Sequence, residues 1–388
     1  MKHTFLFLFL FLGHFTWGTK AFPMAGWDRR NDPDLFNLRY KRKFSKLPLK
    51  GSLSKIPWSG DYWPTYKGGI TYRWNAKIKD NSHDQDRWNY TVSKGINFEW
   101  QDLSFLSPAE KYDLFMGDLD FTLTHYERER TAIMKTVPGS EEYDPSYSIP
   151  KWEGLCHAWA PATYLYENPA PVTLKGALGH EITFASSDIK ALLVYFLHLE
   201  GDSMRTDFLG SRCNFDFAHL KKQLEEGKIK PYQYKKQLNS RNCKDTNPGA
   251  FHIVLANQIS LLDESFVVDI TRDAEVWNQP VVGYRSKIIK ISDKVHREAA
   301  PGTVEEVLVE TVMDYIEEVP QSFERKKSPE SIVSETYTYT LELDKKGRII
   351  GGEWKSYARP DFIWKVGKPK FKGFFKDLEK IYRKSISK

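Results

Sequence analysis

The sequence predicts an α+β fold in which helices come before antiparallel strands. Two observations lead to this class. A helix-start signature at Ser107 and a long amphipathic pattern at 186–200 predict helices in the first part of the chain. Runs rich in β-branched residues, separated by polar turn residues, follow at 251–271 and 334–354. Helical patterns followed by strand patterns are typical of the α+β class.

Two helices are predicted from local signals. In "LSPAEKYDLFMG", Pro108 follows Ser107, Glu110 stands at the capping-box spacing, and Gly117 ends the helix. In "SSDIKALLVYFLHLEG", Ser186 or Ser187 is the predicted N-cap. The apolar face of this second helix consists of Ile189, Leu192, Leu193, Phe196 and Leu197.

Strands and turns are predicted in the second half. The runs "AFHIVLANQI" and "SFVVDIT", joined by "SLLDE", predict a β-hairpin, and "SETYTYTLELDKKGRIIGGEW" predicts another, with its turn at 344–347. The segment "AEVWNQPVVGYR" is interpreted as a turn, because Pro280 fixes φ and Gly283 permits a positive φ. Trp277 is expected to hold this turn by burying its ring.

The two ends of the chain carry different signals. Basic residues and then a Phe/Leu run at 5–12 predict a secretory signal peptide over residues 1–21, with cleavage after Ala21, and hence a secreted or periplasmic protein. The last 24 residues hold nine basic side chains. Apolar residues at helical spacing predict an amphipathic helix there; they are Phe374, Phe375, Leu378, Ile381 and Tyr382. Its basic face is expected to be solvated, with contact to an anionic surface as the alternative. No nucleic-acid-binding motif accompanies the net charge of +6.

The chain has three cysteines, and export predicts that two of them pair. Cys213 and Cys243 flank a polar, helix-rich insert, so we expect a disulfide between them. This pairing leaves Cys156 as the free thiol, for which a buried, inert cysteine is the alternative.

Cys156, in "WEGLCHAWAPA", stands just before a predicted helix. The free N–H groups of a helix N-terminus lower the pKa of a thiol and can hold a developing oxyanion. A nucleophilic thiol needs a base and a group that orients the base. His252 is the candidate base and Asp269 the candidate acid, since the predicted hairpin places them on adjacent strands; Asp273 is the reserve acid.

Other histidines and metal sites are less favoured. His157, His180 and His198 are expected to be structural or surface residues, and the spacing of cysteines and histidines matches no zinc motif. No metal ligands are therefore assigned.

Several motifs resemble the transglutaminase elicitor family, known from oomycetes and marine bacteria. They are "WSGDYWPTY", "WEGLCHAWAPA", "NPGAFHIVLANQI", "FVVDITRDAEVWNQPVVGY" and "GGEW" with "PDFIW". The most specific is "VWNQPVVGY", which matches the start of a peptide that plants recognise and departs from it after Pro280. The resemblance implies a papain-like core and a protein-glutamine γ-glutamyltransferase with Cys156 as nucleophile, His252 as base and Asp269 as orienting acid.

The resemblance also bears on substrates and calcium. It implies that the substrates are proteins bearing glutamine and lysine. The candidate substrate-binding residues are Trp277, Asn278 and Trp152. The family resemblance implies calcium dependence. The nearest loop, "KDNSHDQDRW", offers Asp80, Asp84 and Asp86 but lacks the glycine and final glutamate of an EF-hand, which favours a solvated acidic loop.

The length of 388 residues predicts more than one domain. The expected divisions are a signal peptide at 1–21, an N-terminal arm or propeptide at 22–60, an aromatic-rich region at 61–145, the papain-like core at 146–300, and a C-terminal hairpin region with the basic tail at 301–388. A cysteine protease or glutamine deamidase with the same triad is one alternative function. An exported, non-catalytic module that binds a wall polymer or a host surface is another.

Overall fold

The structure is a computed structural model that describes residues 26–76, 87–90, 103–212, 216–238, 245–272, 274–326 and 331–387. The signal peptide at 1–21, both cysteines of the expected disulfide, the reserve acid Asp273 and the acidic loop with Asp80, Asp84 and Asp86 lie outside these residues. Within the described ranges, no helix is both long and apolar enough to cross a membrane.

The described residues form helices and strands in the mixed arrangement that the sequence predicts. The helices are α1 (Pro108–Met116), α2 (Thr122–Thr131), α3 (Cys156–Leu165), α4 (Ser186–Glu200), α5 (Phe217–Glu225), α6 (Pro231–Leu238), α7 (Pro248–Leu255) and α8 (Leu378–Ile386). The strands are β1 (Lys50–Ser52), β2 (Val172–Lys175), β3 (Glu181–Phe184), β4 (Thr206–Gly210), β5 (Val267–Asp269), β6 (Asn278–Ser292), β7 (Thr303–Ile316), β8 (Ile332–Asp344), β9 (Ile349–Trp354) and β10 (Phe362–Val366).

One antiparallel sheet organises the chain. Its strand order is β4-β10-β5-β6-β7-β8-β9, and β1 also pairs with β6. Helix α3 packs against β6 and α4, whereas α7 packs against β8 and β9. Strands β2 and β3 form a separate hairpin. The sheet therefore brings together segments from the start, middle and end of the chain.

Local signals located several elements correctly. Helix α1 has the predicted capping box between Ser107 and Glu110, and it ends at Gly117 with a left-handed φ of 77°. The predicted apolar face of α4 is buried. The turn between β8 and β9 forms as predicted, with Asp344 accepting hydrogen bonds from the N–H groups of Lys346 and Arg348 at 2.9 Å each. The C-terminal helix α8 buries Leu378, Ile381 and Tyr382.

The N-cap predicted for α4 is wrong. The helix begins after Ala185, whose N–H donates to the Asp188 carboxylate at 2.8 Å. Ser186 instead donates its hydroxyl to the Pro169 carbonyl, and Ser187 accepts from the N–H of Ser322. Tertiary partners thus use the two serine side chains that could otherwise have capped the helix.

The predicted hairpin around His252 is wrong as well. Residues 248–255 form helix α7, a π-helical turn follows at Ala256–Leu262, and only Val267–Asp269 is a strand. Asn247 caps α7 by accepting from Gly249 at 2.9 Å, and Pro248 occupies the first turn. All residues of α7 are buried, so the helix lacks the polar face whose period would have distinguished it from a strand.

The segment read as a turn at Pro280 and Gly283 is also a strand, because both residues lie inside β6. Pro280 pairs with Val267 near the start of β6, before the pairing with β7 begins at Val281. A proline cannot donate a backbone hydrogen bond, and near the start of a strand this removes little of the pairing. Gly283 lies across from Ser52 of β1. Trp277 precedes the strand and is half-buried rather than fully buried.

The N-terminal region at 26–60 runs along the body of the protein. Besides β1, it contributes a hydrogen bond from Leu53 to the Val282 carbonyl and a bridge between Lys43 and Arg348. Apolar side chains from Phe36 to Tyr382 join one core. The division of the chain at 60, 145 and 300 stays a prediction.

Candidate functional site

The candidate site is centred on Cys156, the first residue of α3. Its side chain is 5% exposed, and its thiol donates to the carbonyl of Val276 at 3.5 Å. Leu155 is the N-cap residue, and its side chain accepts no hydrogen bond. The backbone N–H groups in the first turn of α3 therefore have no side-chain acceptor at the N-cap. The structure thus confirms that Cys156 lies at a helix N-terminus, and it shows the burial that the alternative of a structural cysteine expected.

Burial and nearby groups act on the thiol in opposite directions. Burial raises the pKa of Cys156 above its ordinary value and is the largest effect. Hydrogen bonds from the backbone and side chain of Asn278 lower this pKa, whereas the charges of Glu318 and Asp269 raise it. The raising effects dominate, so the net shift of the Cys156 pKa is upward, whereas the helix N-terminus alone was expected to lower it.

Asn278 is the polar side chain that contacts the sulfur. It opens β6, is 2% exposed, and directs its Nδ2 atom to the Cys156 Sγ atom at 3.5 Å. Its Oδ1 atom accepts a hydrogen bond of 2.8 Å from the indole nitrogen of Trp364 on β10. Asn278, which the sequence grouped with the substrate-binding residues, therefore lies against the Cys156 thiol.

Asp269 ends β5 and lies opposite Asn278 in the antiparallel pair. Its Oδ1 atom accepts from the N–H of Trp277 at 3.0 Å and from the hydroxyl of Thr271 at 2.9 Å. The carboxylate thus ties the loop between β5 and β6, and this loop supplies the carbonyl that holds the Cys156 thiol. The structure brings Asp269 to the thiol's neighbourhood, but as an anchor of the backbone.

Trp277 follows the residue whose carbonyl accepts from the Cys156 thiol, and its ring contacts that of Tyr62. The rings of Trp277 and Tyr62 lie 5.8 Å apart between centroids, inclined by 56°. Tyr62 is held by its hydroxyl on the Lys151 carbonyl at 2.6 Å, and its own carbonyl accepts from the N–H of Leu155 at 2.7 Å. Trp152 lies half-buried in the turn that leads into α3.

His252 lies apart from this group. It is fully buried on α7, its Nδ1 atom is 2.8 Å from the hydroxyl oxygen of Tyr339, and its ring lies 5.8 Å from that of Phe44. Its Nε2 atom has no hydrogen-bond partner among the residues that the structure describes, and burial lowers its pKa to about 4. No hydrogen bond within the described part of the chain joins His252 to Cys156 or Asp269. The sequence predicted His252 and Asp269 on adjacent strands, but His252 lies on helix α7. The strand pairing that would have aligned these two side chains therefore does not form.

The other histidines considered in the sequence have their own partners. His157 points away from the thiol, and its Nε2 atom lies 2.9 Å from the Nδ1 atom of His198 on α4. His180 lies in the turn between β2 and β3. Neither arrangement places a base on the Cys156 sulfur.

Sequence reasoning missed the acidic neighbours of the site. Glu318, just after β7, accepts from the Gln279 amide at 3.0 Å through both carboxylate oxygens, and burial raises its pKa. Burial also raises the pKa of Asp61 to about 7. Both carboxyls, like Trp364, come from distant parts of the chain, so no local spacing could have associated them with Cys156.

The described residues include no group of three or more histidine, cysteine or acidic side chains close enough to hold a metal ion. The acidic loop considered for calcium lies outside the described ranges.

The fold is similar to that of a solved transglutaminase. The crystal structure of the GP42 transglutaminase from Phytophthora sojae aligns with a TM-score of 0.60 and 24% sequence identity, covering 93% of this chain and 98% of that chain. At this identity the likeness establishes a shared fold. No curated protein matches the sequence. The chain is thus of the class of α+β proteins that share a fold with a transglutaminase.

The family follows from the sequence itself. The family model described as transglutaminase elicitor matches residues 31–85 and 138–376, which is most of the chain. The chain belongs to the transglutaminase elicitor family, and the resemblance seen in its motifs is confirmed.

Proposed function

We propose that the chain is an exported protein-glutamine γ-glutamyltransferase with a papain-like catalytic core. The observation that carries the proposal is the Cys156 thiol, buried at the first position of α3 with the Asn278 amide on its sulfur. A thiol at a helix N-terminus, next to a fixed amide donor, suits the formation of an acyl thioester. Membership of the transglutaminase elicitor family supports glutamine as the acyl donor.

In the proposed reaction, the Cys156 thiolate attacks the side-chain carbonyl carbon of a protein-bound glutamine. The C–N bond breaks, ammonia leaves with the proton that the thiol gave up, and an acyl thioester remains. The amine of a lysine then attacks the thioester carbonyl and loses a proton, the C–S bond breaks, and the sulfur recovers its proton. The products are an isopeptide bond and the free enzyme.

The aromatic surroundings of the thiol support amine transfer over hydrolysis. Cys156 is nearly inaccessible, and the contacting rings of Tyr62 and Trp277 belong to residues whose backbone adjoins it. Exclusion of bulk water protects a reactive intermediate from hydrolysis. An aromatic wall also suits the alkyl chain of a lysine, which is the role we propose for Trp277.

His252 and Asp269 are the base and orienting acid that the family resemblance implies, and these roles stay a prediction. In the described conformation the ring of His252 contacts Tyr339, and Asp269 holds the backbone of Trp277. Transfer of the thiol proton to His252 therefore requires a rearrangement that frees the ring and brings it to Cys156.

The proposed function is tested with a glutamine-bearing protein and a labelled primary amine. Amine incorporation, ammonia release and chain cleavage are followed together for the wild type and for Cys156→Ala. Incorporation that disappears in the variant supports the proposal. Ammonia release without incorporation indicates a deamidase, and cleavage without incorporation indicates a protease.

A non-catalytic binding module is the second candidate. The observation that favours it is that, in the described residues, His252 bonds Tyr339 and makes no hydrogen bond to Cys156, whose pKa is raised by burial. This function predicts no incorporation, no ammonia and no cleavage by the wild type under any condition that preserves the fold. A contact of the basic C-terminal tail with an anionic surface is a further proposal, and it applies to either function.

A further inference from the structure

We propose that Trp364 is a positioning residue, which holds the Asn278 amide so that its nitrogen faces the Cys156 sulfur. This inference rests on the proposed acyl transfer. It deepens that function by assigning Asn278 as the donor to the thiolate and to the developing oxyanion, and Trp364 as the group that sets this donor's orientation.

The orientation of the amide follows from the chemistry of indole. An indole N–H can only donate a hydrogen bond, so the atom of Asn278 that lies 2.8 Å from Trp364 Nε1 must be the carbonyl oxygen. The amide nitrogen is consequently the atom at 3.5 Å from the Cys156 Sγ atom. Asn278 is 2% exposed, so solvent does not offer the oxygen an equivalent donor.

The sheet register explains how Trp364 reaches Asn278. Trp364 on β10 pairs with Val267 on β5, and Val267 pairs with Pro280 on β6. Paired residues of antiparallel strands share a face, and so do residues two apart along one strand. Trp364 and Asn278 therefore lie on the same face, on strands separated by β5, and the long indole ring covers the diagonal distance between them.

The fixed amide has two uses in the reaction. In the resting site it opposes the effects of burial and of the acidic neighbours on the thiol, because a donor to the sulfur favours the thiolate. After attack on the glutamine carbonyl, negative charge develops on an oxygen bonded to the carbon that the sulfur holds. A preorganised N–H donor beside the sulfur is suited to stabilise that charge.

The experiment measures the thiol before any substrate is added. The rate of Cys156 alkylation by iodoacetamide is followed from pH 6 to 10 for the wild type, Trp364→Phe, Asn278→Ala and the double variant. Loss of one hydrogen bond to a charged sulfur is expected to slow alkylation at neutral pH roughly ten-fold in Asn278→Ala, and to shift its midpoint upward. Trp364→Phe should give a smaller shift in the same direction, about three-fold in rate, since the amide remains but loses its orientation.

The double variant separates positioning from a general structural role. If Trp364 acts through Asn278, Trp364→Phe adds nothing in the Asn278→Ala background. Additive effects, or a Trp364→Phe profile equal to that of the wild type, would overturn the proposal. Trp354→Phe is the matched control, because Trp354 also donates through its indole nitrogen, to the Thr246 carbonyl at 2.7 Å, but away from Cys156. Its alkylation profile should match that of the wild type.

If Trp364→Phe does not fold, a tryptophan analogue with sulfur in place of the indole N–H is introduced at position 364, which keeps the ring shape and removes the donor. Because alkylation requires no acyl donor, the two proposals fail separately. A shift in alkylation without amine incorporation by the wild type supports the positioning and contradicts the transferase function. Incorporation by the wild type without a shift in the alkylation of Trp364→Phe supports the transferase function and contradicts the positioning.

Discussion

The Nδ1 atom of His252 and the hydroxyl oxygen of Tyr339 lie 2.8 Å apart in the core, and within the described ranges the second ring nitrogen of His252 has no hydrogen-bond partner. The hydroxyl of Tyr339 is in turn 2.7 Å from that of Thr311. A buried histidine with one free nitrogen is maintained in its neutral form, because the imidazolium would need a second acceptor.

The first prediction concerns acid stability. Burial lowers the pKa of His252 from 6.5 to about 4, so between these values the unfolded chain binds more protons than the folded one. The free energy of unfolding is therefore highest above pH 6.5, where the ring is neutral in both states. It falls by about 3 kcal/mol as the pH decreases from 6.5 to 4. Urea unfolding at pH 7, 5.5 and 4.5 should show a shallower pH dependence in His252→Gln. Parallel curves for the two proteins would contradict the assignment.

The second prediction concerns the loop beside the thiol. Asp269→Ala removes the acceptor that holds the N–H of Trp277, so the loop that presents the Val276 carbonyl should loosen and Cys156 should be alkylated faster. Asp269→Asn removes the charge but keeps an acceptor oxygen, and it is the control. If the charge alone governs the thiol, both variants accelerate alkylation equally. If the hydrogen bond to the N–H of Trp277 also matters, alkylation is faster in Asp269→Ala than in Asp269→Asn. The alkylation rates of the two variants at pH 8 distinguish these outcomes.

The third prediction concerns the buried ion pair between Lys111 and Asp188. Their charged atoms lie 2.6 Å apart, both side chains are fully buried, and Asp188 also accepts from the indole of Trp74 at 2.8 Å. Lys111→Met leaves a buried carboxylate without its cation, and it should reduce the free energy of unfolding by about 3–5 kcal/mol. Adding Asp188→Leu should recover part of this loss. Equal stability of Lys111→Met and the wild type in urea unfolding would refute the expectation.

The fourth prediction concerns the contact between α7 and β9. A Cβ atom on Gly249 would lie 2.3 Å from the carbonyl oxygen of Gly351, so Gly249→Ala must displace the backbone of one element. We expect Gly249→Ala to lower the free energy of unfolding by about 3 kcal/mol or more, because overpacking typically costs about 1–3 kcal/mol and here backbone must move. Gly201→Ala is the control, since a Cβ there meets no atom within 4 Å and its φ is −59°. Thermal unfolding should show that Gly201→Ala is unchanged or slightly more stable.

Local signals were sufficient where a few neighbouring residues decide the structure. The capping box at Ser107, the turn at Asp344 and the helix that begins at Cys156 could all be predicted, because their hydrogen bonds join residues that are close in sequence. The same local signals were misread at Asn247–Pro248–Gly249, where a helix start preceded a run rich in β-branched residues. Complete burial of α7 removed the alternation of polar and apolar residues that would have corrected the reading.

The sequence by itself determined the mixed class of fold, the family and the position of Cys156 at the start of a helix. It did so because helix signals, strand composition and a thiol at a helix N-terminus depend on short stretches of chain. The tertiary structure decided which groups meet that thiol: Asn278 contacts it, Trp364 orients Asn278, and His252 lies elsewhere. Contacts between residues 86 to 122 positions apart depend on sheet register and on which element forms, and no short stretch encodes either.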